Sequence, residues 1–403
     1  MSFGVPALAG AQGSPTLHVG GGAIPAYFWA DPIPKGGTLS EARVVQPTVM
    51  AHAGALNNRL RFVGMLNLEG LTIANGELAT GDWGEGFDDR RHPHTYLHEA
   101  MLMYEQPLVS GSRPVRVSLS AGKGFAPFGT DDPMSRPVLR YPVNHHLAQI
   151  LERAVAILGL RAGPVLLEGG LFNGDEPERP SQWPKIDRFG DSWSARFSVL
   201  PTPSLEFQGS YAAVHSPEHR PGFGTDQDKW NVSGRWQGMI GSSPGYALLE
   251  WSKSSEAEGF FIFHSILAEG SWSPGPHRVY YRFERTDRPE EERGVYRFRS
   301  PRPILENSIL GTTRWTVHTA GYGLETEGGD IFTATTFGEV SYGRIADVGE
   351  GLFNAASFYG KTSFWTITLG VRLALGMAIH RMGRYGVAQD TAPAMDMAHH
   401  GAS

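Results

Sequence analysis

The chain has 403 residues, a formal net charge of −6, no cysteine and 51 glycines. Glycine lies well above its average share of roughly 7%, which argues against a helical enzyme. The absence of cysteine excludes disulfide frameworks, thiolate zinc sites and cysteine nucleophiles, and the acidic balance argues against a nucleic-acid binder. No apolar stretch approaches the ~20 residues that a membrane helix needs, so a helical membrane protein is excluded but a transmembrane β-barrel is not.

The N-terminus leaves two interpretations open. Residues 1–13 are rich in small residues, and Ala7-Leu8-Ala9 fits the end of a secretory signal, although a basic region and a full apolar core are missing before it. The segment is either the remnant of a signal peptide that starts upstream of Met1 or a flexible terminus. We therefore assign residues 14–376 to the folded domain and residues 377–403 to a C-terminal tail that contains Met and His.

Alternating polar and apolar residues predict antiparallel strands. In residues 192–199, Trp193, Ala195 and Phe197 share one face, whereas Ser194 and Arg196 share the other. After a turn at 201–203 the alternation resumes, which predicts a hairpin. Similar alternation runs through residues 60–69, 278–284 and 365–373.

The connections between the predicted strands alternate in length along the chain. Short connections are expected near residues 57–59, 110–114, 161–163, 201–203, 242–245, 273–277 and 325–329. Long ones are expected at 72–94, 123–149, 173–190, 216–228, 286–308 and 344–361, with a modest loop at 254–259. Short turns on one rim and long loops on the other are typical of an outer-membrane barrel.

The strand count fixes the predicted architecture. These connections join fifteen predicted strands, but a closed bacterial barrel normally has an even number of strands. A further strand at residues 23–30 restores the parity. The prediction is an all-β, transmembrane, antiparallel up-and-down barrel of about 16 strands, with 14 as the alternative, long outer loops and short periplasmic turns. Aromatic residues near the predicted strand ends are expected to form interfacial girdles: Tyr27, Phe28, Trp29, Trp193, Trp230, Trp251, Trp272, Tyr280, Tyr281, Trp315 and Trp365.

Charged residues on the predicted strands point to a polar lumen. An Arg that faces lipid at mid-depth costs roughly 2–4 kcal/mol, so these side chains are expected to face inward. The predicted pore lining is Arg61, Glu69, Glu168, Arg196, Glu206, Arg235, Arg282, Glu284, Arg314 and Arg372. Rows of opposite charge would filter solutes, whereas charges that pair with one another would plug the barrel. The sequence leaves both open.

Histidine and methionine clusters suggest metal binding. His92, His94, His98 and Glu99 lie close together, and His145 and His146 end a long loop that either folds inward as a constriction or packs as a surface turn. Imidazole, carboxylate and thioether groups suit copper or zinc, and the tail adds Met395, Met397, His399 and His400. The alternatives are a polar network of Arg and Asp pairs at the rim and a disordered tail. No cofactor is required by the sequence.

One serine motif keeps an enzyme hypothesis open. Residues 241–245 match the hydrolase pattern G-x-S-x-G, but the context is a turn between strands with Pro244 directly after Ser243. A hydrolase would instead need a Ser near His92, His94 or His98 at the rim.

Three segments together resemble a known family: residues 89–102, 122–137 and 165–180. They are similar to a poorly characterised family of Gram-negative outer-membrane β-barrels that are often encoded beside heavy-metal and copper resistance systems, and more distantly to phosphate-selective porins. The resemblance covers about residues 45–375 and carries no catalytic residues. It implies a barrel in the outer membrane and a link to metal ions.

The expected function is that of a porin-like channel for small polar or ionic solutes, with metal-ion handling as an added role. A non-conducting barrel that binds metal and an outer-membrane hydrolase are the alternatives. The expected partners are outer-membrane lipid, small polar solutes or metal ions, the barrel-assembly machinery and, in a homotrimer, further copies of the chain. A nucleic-acid partner is not expected.

Overall fold

The computed structural model describes residues 14–31, 37–72, 95–111, 114–143, 145–175, 180–215, 225–291, 309–327, 332–376 and 380–389. Sixteen strands form one closed antiparallel barrel, which confirms the predicted fold class and strand number. Each strand pairs with its neighbours in sequence, and the first strand pairs with the last, so that Gly20 lies opposite Gly376. Closure leaves no sheet edge, as a strand-built membrane protein requires.

The strand bounds are as follows: β1 (Thr16–Asp31), β2 (Leu39–Ala55), β3 (Leu60–Asn67), β4 (Leu97–Val109), β5 (Val115–Gly124), β6 (Arg153–Ala162), β7 (Val165–Phe172), β8 (Ser192–Thr202), β9 (Leu205–Val214), β10 (Gln227–Ile240), β11 (Ser243–Glu256), β12 (Phe261–Trp272), β13 (His277–Glu291), β14 (Ile309–Glu327), β15 (Phe332–Val348) and β16 (Ser363–Gly376). The described parts of the connections contain three short α-helices: α1 (Glu69–Thr72), α2 (His145–Ala148) and α3 (Ala355–Tyr359). No helix in the described part of the chain is long and apolar enough to span a membrane.

The two faces of the barrel wall differ sharply in chemistry. On β8, Trp193 and Phe197 are exposed on the outside, whereas Ser194 and Arg196 are buried inside. Leu158 on β6 and Leu249 on β11 are each 60% exposed on the outer face. In water such a belt of exposed apolar side chains would be unfavourable, but in lipid it is the expected surface. The strands are therefore held in a bilayer by their outer faces and enclose a polar interior.

The aromatic prediction holds for only part of its set. Trp193, Tyr211 and Trp230 form a row of contacting rings on the outer face, with centroids 5.3 and 5.4 Å apart. Trp315 instead is fully buried inside, where its ring contacts Tyr359. Phe28 is also buried, in a hydrophobic cluster with Ile24, and Tyr280 is buried on the inner face of β13. The outer row has the position and chemistry of an interfacial girdle, but Trp315, Phe28 and Tyr280 belong to the interior.

Candidate functional site in the barrel lumen

The lumen is crossed by a long loop between β5 and β6, here called the lumen loop (residues 125–152, of which 144 is not described). Its hydrophobic residues are mostly buried, and Phe128 packs with Met101 and Ile157 of the wall. The sequence permits this inward path at Gly129, whose φ is +66°. A β carbon at Gly129 would lie 1.7 Å from the carbonyl oxygen of Ala148, so only glycine fits where the loop doubles back.

Carboxylates on the far wall hold the loop by its backbone. Glu339 on β15 accepts hydrogen bonds from the backbone N–H groups of Leu139 at 2.7 Å and Arg140 at 3.0 Å. Glu284 on β13 accepts one from the N–H of Val143 at 2.6 Å. A carboxylate that accepts from buried N–H groups satisfies donors that would otherwise be lost to solvent. Glu284, predicted as pore lining, therefore anchors the loop.

Other wall charges pair across neighbouring strands. Glu168 on β7 lies in register with Arg196 on β8, and two hydrogen bonds of 2.7 and 2.8 Å join them. Glu269 on β12 is likewise in register with Arg282 on β13, at 2.7 Å. All four side chains are buried. Bidentate or directly opposed pairs of this kind offset much of the desolvation of each charge.

A second segment enters the lumen after β16 ends at Gly376. This C-terminal segment (residues 380–389) lies within the tail of the sequence analysis, and it packs against the barrel wall. Val387 and Ala388 form a cluster with Leu166 of β7. The N–H of Val387 donates to Ser118 Oγ at 3.0 Å. The described part of the tail is therefore an ordered element of the lumen.

The densest charge cluster joins the lumen loop, the wall and the C-terminal segment. Asp131 of the lumen loop accepts from Arg381 at 2.7 to 2.9 Å and from Arg235 of β10. Glu206 on β9 accepts from Arg381 at 2.9 Å and from Arg384 at 2.7 Å. We call Asp131 and Glu206 the carboxylate site. Both carboxylates are buried, so the site is a desolvated receptor for guanidinium groups.

The electrostatics of the carboxylate site favour the charged forms. Burial alone would raise the pKa of Asp131, but the guanidinium groups of Arg235, Arg381 and Arg384 together hold it well below its usual value. Burial, and then repulsion by Arg196, lower the pKa of Arg384 to about 10. Arg384 is therefore still protonated at neutral pH, opposite an ionised Asp131.

The described members of the predicted metal set each contact different partners. A register shift opposite Met65 and Leu66 leaves His98 as an extra residue of β4, so that both His98 and Glu99 are buried. His98 lies 3.4 Å from Glu152, whereas Glu99 lies 2.9 Å from His380. His145 and His146 contact each other in α2, beside Tyr141. Among the described residues no group of three or more His, Asp or Glu is arranged to hold a metal ion. His92, His94, Met395, Met397, His399 and His400 lie outside the described residues.

Most of the predicted pore lining faces inward, with two corrections. The inward set comprises Arg61, Glu168, Arg196, Glu206, Arg235, Arg282, Glu284 and Arg372, by strand alternation. Glu69 does not lie on a strand: it begins α1 and accepts from the backbone N–H of Gln46 at 2.7 Å. Arg314 alternates to the outer face, where it pairs with Asp287 at 2.6 Å. This pair sits near the outer end of β13 and β14, and β14 is 19 residues long, so Arg314 lies beyond the belt of ~9–11 residues that crosses the hydrocarbon.

Three residues of the carboxylate cluster carry no recognisable sequence pattern. Asp131, Arg381 and Arg384 lie in irregular segments, where no periodicity indicates which way a side chain points. One sequence feature pointed to Arg381 and Arg384: the last predicted strand ends well before the end of the chain. The hydrolase motif at residues 241–245 covers the two-residue turn between β10 and β11 and the start of β11, where Ile240 pairs with Ser243.

The closed 16-stranded barrel, its apolar outer belt and its charged interior define a transmembrane β-barrel of the outer-membrane type, located in the outer membrane of a Gram-negative bacterium. The fold is similar to that of an anion-selective porin from Comamonas acidovorans, with a TM-score of 0.52 and 11% identity, covering 90% of this chain and 100% of that one. OmpT of Vibrio cholerae has a TM-score of 0.49 and 10% identity, covering 89% of this chain and 97% of that one. At these identities the likeness is one of fold. No protein-family profile and no curated protein matches the sequence. The distant likeness to porins is thus supported, and the link to copper resistance stays a prediction.

Proposed function

We propose that the protein is a porin-like channel that passes small polar or ionic solutes across the outer membrane. The observation that carries the proposal is the inward-facing set of charged side chains inside a closed barrel whose outer face is apolar. Buried charges of both signs on the wall act on solutes in a confined, low-dielectric space, where their effect is larger than in water. The lumen loop supplies the constriction that makes passage selective by size.

The test is the ion current through the purified, refolded full chain in a planar bilayer. We expect stepwise currents. Replacing Arg372, a lumen-facing residue of β16, by Gln removes one positive charge from the path and is expected to shift the reversal potential in a KCl gradient towards cation selectivity. The matched control is Leu369→Ala on the same strand, because Leu369 is 54% exposed on the outer face. Silence both from the folded wild type and from folded variants in which the contacts of the C-terminal segment are removed would overturn the proposal.

A second candidate is a barrel that does not conduct and instead binds copper or zinc. One observation favours closure: the lumen loop and the C-terminal segment reach both sides of the wall, from Glu339 of β15 to Leu166 of β7. Metal binding itself is a prediction from the sequence. Calorimetric titration of the full chain with Cu²⁺ and Zn²⁺ tests it, with H98A and H145A as variants. A homotrimer is also a prediction, and the mass of the detergent-solubilised protein tests it.

A further inference from the structure

The C-terminal segment is held in the lumen by contacts of several kinds. The hydroxyl of Tyr385 donates to Glu99 and accepts from the N–H of Phe125 at 3.1 Å. Met382 is fully buried in a cluster with Met50 and Phe125. The segment is thus fixed to both the wall and the lumen loop. The segment pairs with no strand, so sheet hydrogen bonding does not explain its burial.

Two arginines three residues apart give the segment its charge complementarity. Arg381 bridges Asp131 and Glu206, and Arg384 donates to Glu206 and to Gln208. In the described residues the ion pairs of Glu206 come from these two arginines. Without them, Glu206 loses both cations, and Asp131 keeps the wall residue Arg235. The carboxylate site would then carry an excess of negative charge inside the lumen.

Glu99 on the adjoining wall also depends on the C-terminal segment for its partners. It lies 2.9 Å from His380 and accepts a hydrogen bond from the Tyr385 hydroxyl, and both groups belong to the C-terminal segment. Glu168, by contrast, has its own wall partner in Arg196. Removal of the segment therefore exposes Glu99 and Glu206 while the Glu168–Arg196 pair remains. The exposed lumen would attract cations, because buried carboxylates left without a counter-charge are strongly unfavourable.

We propose that residues 380–389 are an internal plug, and that the carboxylate site it fills is the channel's own site for cationic solutes that carry a guanidinium or ammonium group. This rests on the proposed channel function and names its substrate class. A cationic solute competes with Arg381 and Arg384 for Asp131 and Glu206. The solute therefore displaces the plug when it binds. The open channel selects cations.

The absence of cysteine in the chain allows the plug to be locked. A β carbon built on Gly159 of β6 would lie 2.8 Å from Cγ2 of Val387. In a disulfide the β carbon of one Cys lies about 3 Å from the sulfur of the other, so this distance makes Gly159→Cys with Val387→Cys the pair to test. Oxidation of this double variant in the bilayer is expected to abolish the openings, and reduction is expected to restore them. Each single variant controls for the effect of the substitution alone, and heat-modifiable gel mobility controls for folding.

Ligand class is tested with a matched pair of solutes. N-acetylarginine amide is expected to raise the open probability of the wild-type channel, whereas N-acetylcitrulline amide, which has the same shape and no charge, is expected to leave it unchanged. A variant with Arg381→Gln and Arg384→Gln is expected to stay open and to be cation-selective in a KCl gradient. Equal responses to both solutes, or anion selectivity of the open variant, would overturn the cationic site.

The outcomes separate the two proposals. If the oxidised double variant conducts as freely as the reduced one, the plug is wrong but the channel stands. If wild type, the reduced double variant and the arginine variant are all silent while folded, the channel itself is wrong.

Discussion

Asp131 is the residue whose neutralisation tests the lumen electrostatics most sharply. It is 5% exposed and faces three guanidinium groups, those of Arg235, Arg381 and Arg384, of which the last lies 3.6 Å away. Replacing it by Asn keeps the side-chain shape and one acceptor oxygen but removes the charge. The barrel wall should tolerate this, because no strand hydrogen bond involves the side chain.

The magnitude follows from which partners the change affects. Breaking a buried ion pair by removing one partner costs about 3–5 kcal/mol. The amide oxygen of the introduced asparagine would still accept a hydrogen bond, and Arg381 would keep Glu206, so the lower end applies. Arg235 is on the wall and stays beside residue 131 whether or not the C-terminal segment is docked. The loss of the Asp131–Arg235 interaction affects the docked and undocked states equally and does not change the docking free energy. Docking of the C-terminal segment is therefore weakened by about 2 kcal/mol, which is roughly a 30-fold change in the ratio of open to closed channel.

The assay is the open-to-closed ratio in single-channel records of wild type and Asp131→Asn at equal salt. Asp228→Asn is the matched control, because Asp228 lies on the outer face of β10 and accepts from Tyr211 there. We expect the ratio to rise in the first variant and to stay at the wild-type value in the second. An unchanged ratio for Asp131→Asn, with normal gel mobility, would refute the role assigned to the carboxylate site.

Three further predictions concern the wall and the lumen loop. Leu158→Arg places a charge on the lipid face and is expected to destabilise the barrel by about 2–4 kcal/mol in urea unfolding from vesicles; a loss below that range would mean that β6 does not face lipid there. Glu339→Gln weakens the hydrogen bonds from Leu139 and Arg140, so amide exchange of the lumen loop is expected to accelerate, and unchanged exchange would count against the anchor. Gly129→Ala cannot keep the loop turn because of its positive φ and the nearby Ala148 carbonyl. We expect a larger conductance, whereas Gly169→Ala, which meets no atom within 4 Å, should behave as wild type.

The wall of the barrel could be predicted because strand alternation is a local signal. On β8, the polarity of each side chain indicates whether it faces the lumen or the lipid. The strand at residues 23–30 was predicted from the need for an even number of strands. In the structure this strand extends over Thr16–Asp31. In a closed barrel the pairing partners of every strand are then fixed, because each strand pairs with the strands before and after it in sequence. The prediction failed for Arg314 because the cost of charge in lipid was applied to a strand that extends beyond the lipid.

The interior could be predicted only in part, because it depends on contacts between residues far apart in sequence. Arg381 and Asp131 are 250 positions apart, and neither lies in a periodic segment. The lumen loop was expected either as a constriction or as a surface turn, and only the backbone at Gly129 and the Glu339 anchor distinguish them. His98 moved to the interior through a bulge in β4, which a regular alternation does not predict.

The central claim is that this barrel lets small polar solutes pass. Proteoliposomes that contain the refolded full chain provide the most direct measurement, by the rate at which they swell in isotonic solutions of neutral sugars of increasing size. We expect swelling with a pentose at a rate that falls steeply for larger oligosaccharides, and faster swelling for Asp131→Asn. If vesicles with correctly folded wild type and variant swell no faster than protein-free vesicles for any solute, the barrel is not a channel.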